Sequence, residues 1–227
     1  MNNMHNSSAE ITMRHIEREF SFDNTIVLTL NIHRPVVRLK GNAEAQSRIN
    51  RRFSSQAVAF LRRASIVLYR QAVQQYQDSI VSDFPFRQFD AAMHFDITYN
   101  SNCHLSTFND RYEYTGGAHG STLRRSDTFS LKTGQRLPLM SFFPRDSNYR
   151  GLLLGQILMQ ADENMQQDPI YFDDYRTLIV KHFNPESYYL TNEGINIYYQ
   201  QYEIAPYASG IIVFTIPYCV VGTAPSC

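Results

Sequence analysis

"TIVLTLNIHRPVVRLKGNAEAQSRINRRFSSQAVAFLRRASIVLYRQAVQQY", residues 25–76, changes its period part-way along, and that change decides the fold. Up to His33 the run is β-branched and apolar, the composition of a strand. From Asn42 onward Ala45, Ile49, Phe53, Ala57, Phe60, Ala64, Val67 and Leu68 recur at three- and four-residue steps. That spacing predicts one long amphipathic helix from an Asn42 N-cap to about Tyr76, with Phe53, Phe60 and Val67 buried against a sheet. Arg51, Arg52, Arg62 and Arg63 lie on its other side. Lys+Arg and Asp+Glu balance at 21 each, so this is read as a solvated face and not as a nucleic-acid stripe.

Upstream, residues 11–20 form a second strand, joined to residues 25–34 by "SFDN", where Asp23-Asn24 is good turn chemistry. Pro35 and Gly41-Asn42 are expected to end this hairpin. Downstream of Pro85, "FRQFDAAMHFDITYNSNCHLSTFNDRYEYTGG" predicts two long strands turning at Asn100-Ser101-Asn102. "HGSTLRRSDTFSLKTGQRLPL" predicts a further pair around Thr133-Gly134. Helices are expected at residues 148–164 and around 173–182, the second with Asp173-Asp174 capping its amino end. "YYLTNEGINIYYQ" is a hairpin with Asn192-Glu193-Gly194 at its tip, and "GIIVFTIPY" an apolar closing strand expected in the middle of a sheet. The strands come as hairpins, which gives α+β architecture with largely antiparallel sheets, each packed by helices. The element order divides into two sequential subdomains, residues 10–115 and 116–220.

A chain of 227 residues with 43% hydrophobic and 19% charged side chains is long enough to bury a core and is not of the disordered class. No run reaches the roughly 18 apolar residues of a membrane helix, and the amino end has no signal-peptide pattern, so a cytoplasmic location without membrane insertion is expected from the sequence as written. Cys103, Cys219 and Cys227 make no disulfide framework and no zinc-ligand spacing, and Cys219 reads as core. No cofactor or metal motif is present.

Chemistry has few candidates. In "YTGGAHG", residues 114–120, His119 between glycines could serve as a general base or bind metal beside His104 or Asp127. No second ligand spacing and no nucleophile elbow accompany it. The reading preferred for Gly116, Gly117, His119 and Gly120 is a structural turn, where glycines allow positive φ and close backbone approach. "IYYQQYEIAPYASG" is a different case: Tyr198, Tyr199, Tyr202 and Tyr207 with Gln200 and Gln201 read as an aromatic, amide-rich loop. Such a loop suits a recognition surface in which rings stack and amides bond hydroxyls; a loop packed down by its own rings is the alternative.

"YTGGAHG", "FSLKTGQRLPLMSFF" and "YYLTNEGINIYYQQYEIAPYASGIIVFTIPY" together resemble the C-terminal domain of the RsiV-type anti-sigma factors. The hairpin, long helix and strands before it resemble the small domain that precedes it there and that also accompanies PdaC-type peptidoglycan deacetylases. The resemblance covers residues 10 to 219. It implies a non-enzymatic module whose partner is a lysozyme-like protein or a peptidoglycan- or chitin-type glycan, at the cell envelope. The transmembrane and sigma-binding segments of the anti-sigma factors and the metal motifs of the deacetylase domain are not in this sequence, so those activities are not carried over. A hydrolase centred on His119 and a structural or assembly protein stand as alternatives.

Overall fold

The computed structural model describes residues 8–222 and 224–227. Among the described residues eight strands form two sheets, of order β1-β2-β3-β4-β5 and β6-β7-β8. β1 (Glu10–Phe22) and β2 (Thr25–Arg38) are an antiparallel hairpin, closed at Asp23 and Asn24, both at positive φ. Mirror-image two-residue turns of this kind match the twist of the flanking strands. β2 continues through Pro35, which the sequence placed at its end. The β2–β3 ladder stops at His33↔His94, so Pro35 lies beyond it, where one flank of the strand has no ladder requiring an N–H.

The helix begins at Asn42, whose side chain accepts from Ala45 N, and runs as α1 (Ala43–Arg63), a π-turn (Ala64–Leu68) and α2 (Tyr69–Val81). Ala45, Ile49, Phe53, Ala57 and Phe60 are buried as the period predicts. Val67 is not; it is 40% exposed. In the π-turn Tyr69 N reaches back to Ala64 O, and the buried stripe runs through Ala64 and Leu68, as the period predicts, and on to Ala72, leaving Val67 outside. The helix face meets Leu28, Leu30 and Ile32 of β2 and Ala91, Met93 and Phe95 of β3 (Phe89–Ser101), with the Phe53 and Phe95 rings edge to face at 5.5 Å. β3 runs parallel to β2, so hairpin and helix together make a strand–helix–strand crossover within a mostly antiparallel architecture. Asn50 ties the helix to the sheet: its amide donates to Val37 O and its oxygen accepts from Val37 N.

β4 (His104–Tyr114) follows a turn at Asn102 and Cys103, both at positive φ, and β5 (Ser121–Ser130) completes the five-stranded sheet. The expected partner strand after Thr133-Gly134 shrinks to a single bridge, Phe129↔Arg136. Leu137 N still donates to Thr128 O, but Pro138 has no N–H and begins a 3-10 turn (Leu139–Phe142). α3 (Tyr149–Gln167) is capped by Asn148; α4 (Tyr175–His182) has Asp174 at its N-cap, without the side-chain cap bond expected of it. β6 (Tyr188–Leu190), β7 (Gly194–Tyr199) and β8 (Ile212–Pro217) are antiparallel, and β7, not β8, is central. α5 (Tyr218–Val221) ends the described helices.

By contacts the chain forms two compact units, one of residues 10–95 and 109–123 and one of residues 96–108 and 124–227 with Ala9. β3, β4 and β5 contribute to both. The core of the second gathers Leu153, Ile157, Ala161 and Ile179 of α3 and α4 with Ile195, Ile197 and Tyr199 of β7 and Phe214 and Ile216 of β8. Cys103 and Cys227 form a disulfide within this unit, across a sequence separation of 124. No cysteine spacing predicts it, because Cys103 and Cys227 meet only in the folded state. Cys219 is free and exposed, not core, at the solvent side of α5.

Candidate binding surface

Tyrosine crowding around β7 sorts into three fates. Tyr198 and Tyr199 are not in a loop; they end β7 and are 4% and 1% exposed. The Tyr199 hydroxyl donates to Ile179 O at 3.1 Å, and burial pushes its pKa well above the ordinary value. The Tyr198 hydroxyl lies 3.2 Å from Ser126 Oγ. Gln200 is a bracket: its oxygen accepts from Arg124 N at 2.9 Å and its amide donates to Arg124 O at 2.8 Å. Tyr202, by contrast, is 57% exposed, and its ring lies 5.9 Å from that of half-buried Tyr207 at 35°. Gln201 sits half-buried beside them.

This turn is held firmly. Gln200 N donates to Glu203 Oε2 at 2.7 Å, and Glu203 N returns a bond to Gln200 O at 3.1 Å. Ile204 and Ala205 are buried, Phe172 N donates to Ile204 O, and Ser209 Oγ donates to Ile170 O. Tyr202 itself sits at φ 66°, a left-handed conformation that a tyrosine adopts only when its surroundings impose it. Two rings are therefore displayed on a braced turn, so little ordering entropy remains to oppose a ligand. Arg124 has no signal in the sequence because its bonds to Gln200 join positions far apart in the chain; those of Glu203 are local, three residues from Gln200, in a turn that no motif marks.

Beside the Arg124 bracket, the Arg124 guanidinium lies over the Phe108 ring at 3.7 Å, and Phe108, Tyr189 and Tyr198 follow one another at 5.1 and 6.2 Å. This cation–π stack occupies its own rings and serves packing.

In the glycine-histidine stretch, Gly116 takes φ 80°, and a Cβ there would meet the Gln75 carboxamide. A Cβ on Gly120 would fall on the Tyr112 ring, whereas Gly117 has room for one. Gly117 O accepts from Arg87 and from the Tyr114 hydroxyl, each at 3.1 Å. His119 Nδ1 lies 3.0 Å from Gly120 O. The side chains considered with His119 have partners of their own: buried Asp127 pairs with Arg136, and His104 Nδ1 contacts Asn102 O while its ring lies against Phe142. Among the described residues no group of three or more His, Cys, Asp and Glu side chains is arranged, as the rings and carboxylates stand, so that it could hold a metal ion. No helix among them is long and apolar enough to cross a membrane.

Residues 23–122 match the family described as deacetylase PdaC, and residues 141–219 match DUF3298, a family of unknown function. Each match covers less than half of the chain; together they support a two-domain module of this type. The fold resembles that of a DUF3298 family member from Bacteroides fragilis, with a TM-score of 0.70 at 18% identity over 98% of this chain and 96% of that one. It also resembles a DUF3298 family protein from Pseudomonas aeruginosa, with a TM-score of 0.59 at 15% identity over 94% of this chain and 93% of that one. At such identities the likeness is one of fold. No curated protein matches the sequence.

Proposed function

We propose that this chain is a non-enzymatic binding module of the bacterial envelope, which recognises a lysozyme-like protein or a peptidoglycan- or chitin-type glycan through the turn after β7. The observation that carries the reading is the exposed Tyr202 ring beside Tyr207 on a turn braced from both ends. Flat rings with polar tips suit both a sugar face and a protein hot spot. The Cys103–Cys227 disulfide supports an oxidising compartment such as the envelope, since cytosolic thiols are kept reduced.

Calorimetry against lysozyme and against chitin and peptidoglycan oligomers tests the reading. Aromatic anchors at interfaces account for about 2 kcal/mol or more each, so Tyr202→Ala or Tyr207→Ala should weaken binding about thirtyfold. The fold should survive Tyr202→Ala, because that ring is mostly outside. Tyr199→Ala is the contrast: it empties a core position and should destabilise the unit without reporting on a ligand. Absence of heat with all these ligands overturns the proposal.

A further inference from the structure

Strand register brings three histidines into one row. His15 of β1 faces His33 of β2 in the antiparallel ladder, and His33 faces His94 of β3 in the parallel one. Directly opposed residues on neighbouring strands project to the same side, with Cβ atoms about 4.5–5.5 Å apart. The rings follow: His15 and His33 have centroids 4.0 Å apart, and His33 and His94 5.6 Å. The helix covers the other side of this sheet, where Leu30, Ile32 and Met93 are buried; His15 and His94 are exposed and His33 is half-buried. Separated along the chain, these residues show no ligand spacing in the sequence.

We propose that His15, His33 and His94 form a binding site for a divalent transition ion of the zinc and copper class. Imidazole is a favoured ligand of these ions, and three protein ligands plus water is a common coordination set. At metal–nitrogen distances of about 2.0–2.1 Å two ligand nitrogens must come within about 3.4 Å of each other. The His15 and His33 ring centroids, 4.0 Å apart, leave a short way to close, and those of His33 and His94, at 5.6 Å, a longer one. Closing the site requires the two outer rings to lean over His33 by side-chain rotation, with no change of backbone, which is why the present rotamers do not enclose an ion.

Two neighbours in the next row of the same face strengthen the assignment. Glu17 opposes Asn31, two positions from His15 and His33 respectively, and places a carboxylate beside the row. The Asn31 Oδ1 atom is buried without a hydrogen-bond partner. An acceptor one row from the central ring suits the outer-shell role of taking the N–H of a ligating imidazole.

The test is a titration of untagged protein near neutral pH with Zn2+ by calorimetry and with Co2+ by its visible absorption. One equivalent should bind, and the Co2+ bands should have the intensity of a four-coordinate site. Outer-shell partners alone are worth about ten- to a hundredfold in affinity, so His33→Gln should cost at least about a hundredfold, and His15→Gln and His94→Gln at least about tenfold each. Near-UV circular dichroism confirms that each variant is folded, and Zn2+ should raise the melting temperature of the wild type but not of His33→Gln. Binding unchanged in His33→Gln overturns the site. Binding lost in His15→Gln and His33→Gln but kept in full by His94→Gln overturns the three-ligand assignment.

Discussion

At the scale of single residues, the apolar period after Asn42 identified a helix and nearly all of its buried face, because a 3.6-residue repeat is a local signal. Val67 shows the limit. The π-turn is marked by the hydrogen bond from Tyr69 N to Ala64 O, and no residue type in that stretch announces it. The consequence is measurable. Phe60 is 2% exposed, and Phe60→Ala should cost about 3–5 kcal/mol in a denaturant melt. Val67→Ala should stay within about 0.5 kcal/mol, as surface changes do. Equal losses at the two positions would mean that the stripe is not phased as described. The same limit explains the tyrosines: composition put six polar or aromatic residues at one place, but only burial separates Tyr198 and Tyr199, which build the core, from Tyr202, which does not.

Elements were legible where they are closed locally. The β1–β2 hairpin announced itself through Asp23-Asn24 and the β6–β7 hairpin through Asn192-Glu193-Gly194. The parallel pairing of β2 with β3 did not, since a crossover fixes its register from outside either strand, and the histidine row exists only in that register. Pro35 misled for a related reason: a proline ends a strand only where its missing N–H has a ladder to fill. The disulfide is another long-range link between elements, from the β3–β4 turn to the end of the chain. Closing so long a loop is worth about 2–5 kcal/mol in small domains. Cys227→Ser should therefore lower the unfolding free energy by that amount and abolish its sensitivity to reductant. Cys219→Ser should do neither. A wild type whose denaturant midpoint ignores reductant would contradict the link.

At the scale of the whole molecule, the unusual content of 15 tyrosines becomes a property of the fold through those that are buried. Burial raises the pKa values of Tyr188 and Tyr199, so the unfolded chain gives up these protons first. Stability from them is complete below the unfolded value of about 10 and falls as pH rises above it. Phenolate absorbance from the buried rings should appear together with loss of near-UV circular dichroism. Tyr199→Phe forfeits the bond to Ile179 O and starts less stable, yet its stability should decline less steeply between pH 10 and 12. A decline as steep as that of the wild type would remove Tyr199 from the account.

Asn50 and Gln200 each pair a side-chain carboxamide with both polar groups of one distant residue, Val37 and Arg124. A carboxamide in that position imitates a neighbouring strand one peptide unit long. It also makes each brace depend on a single nitrogen atom. Slow hydrolysis to a carboxylate exchanges the donating NH2 for an oxygen that points at the carbonyl it used to serve, so one bond turns into a repulsion while every other atom stays in place. Asn50→Asp or Gln200→Glu makes the same exchange directly, and loosens the protein at that one brace.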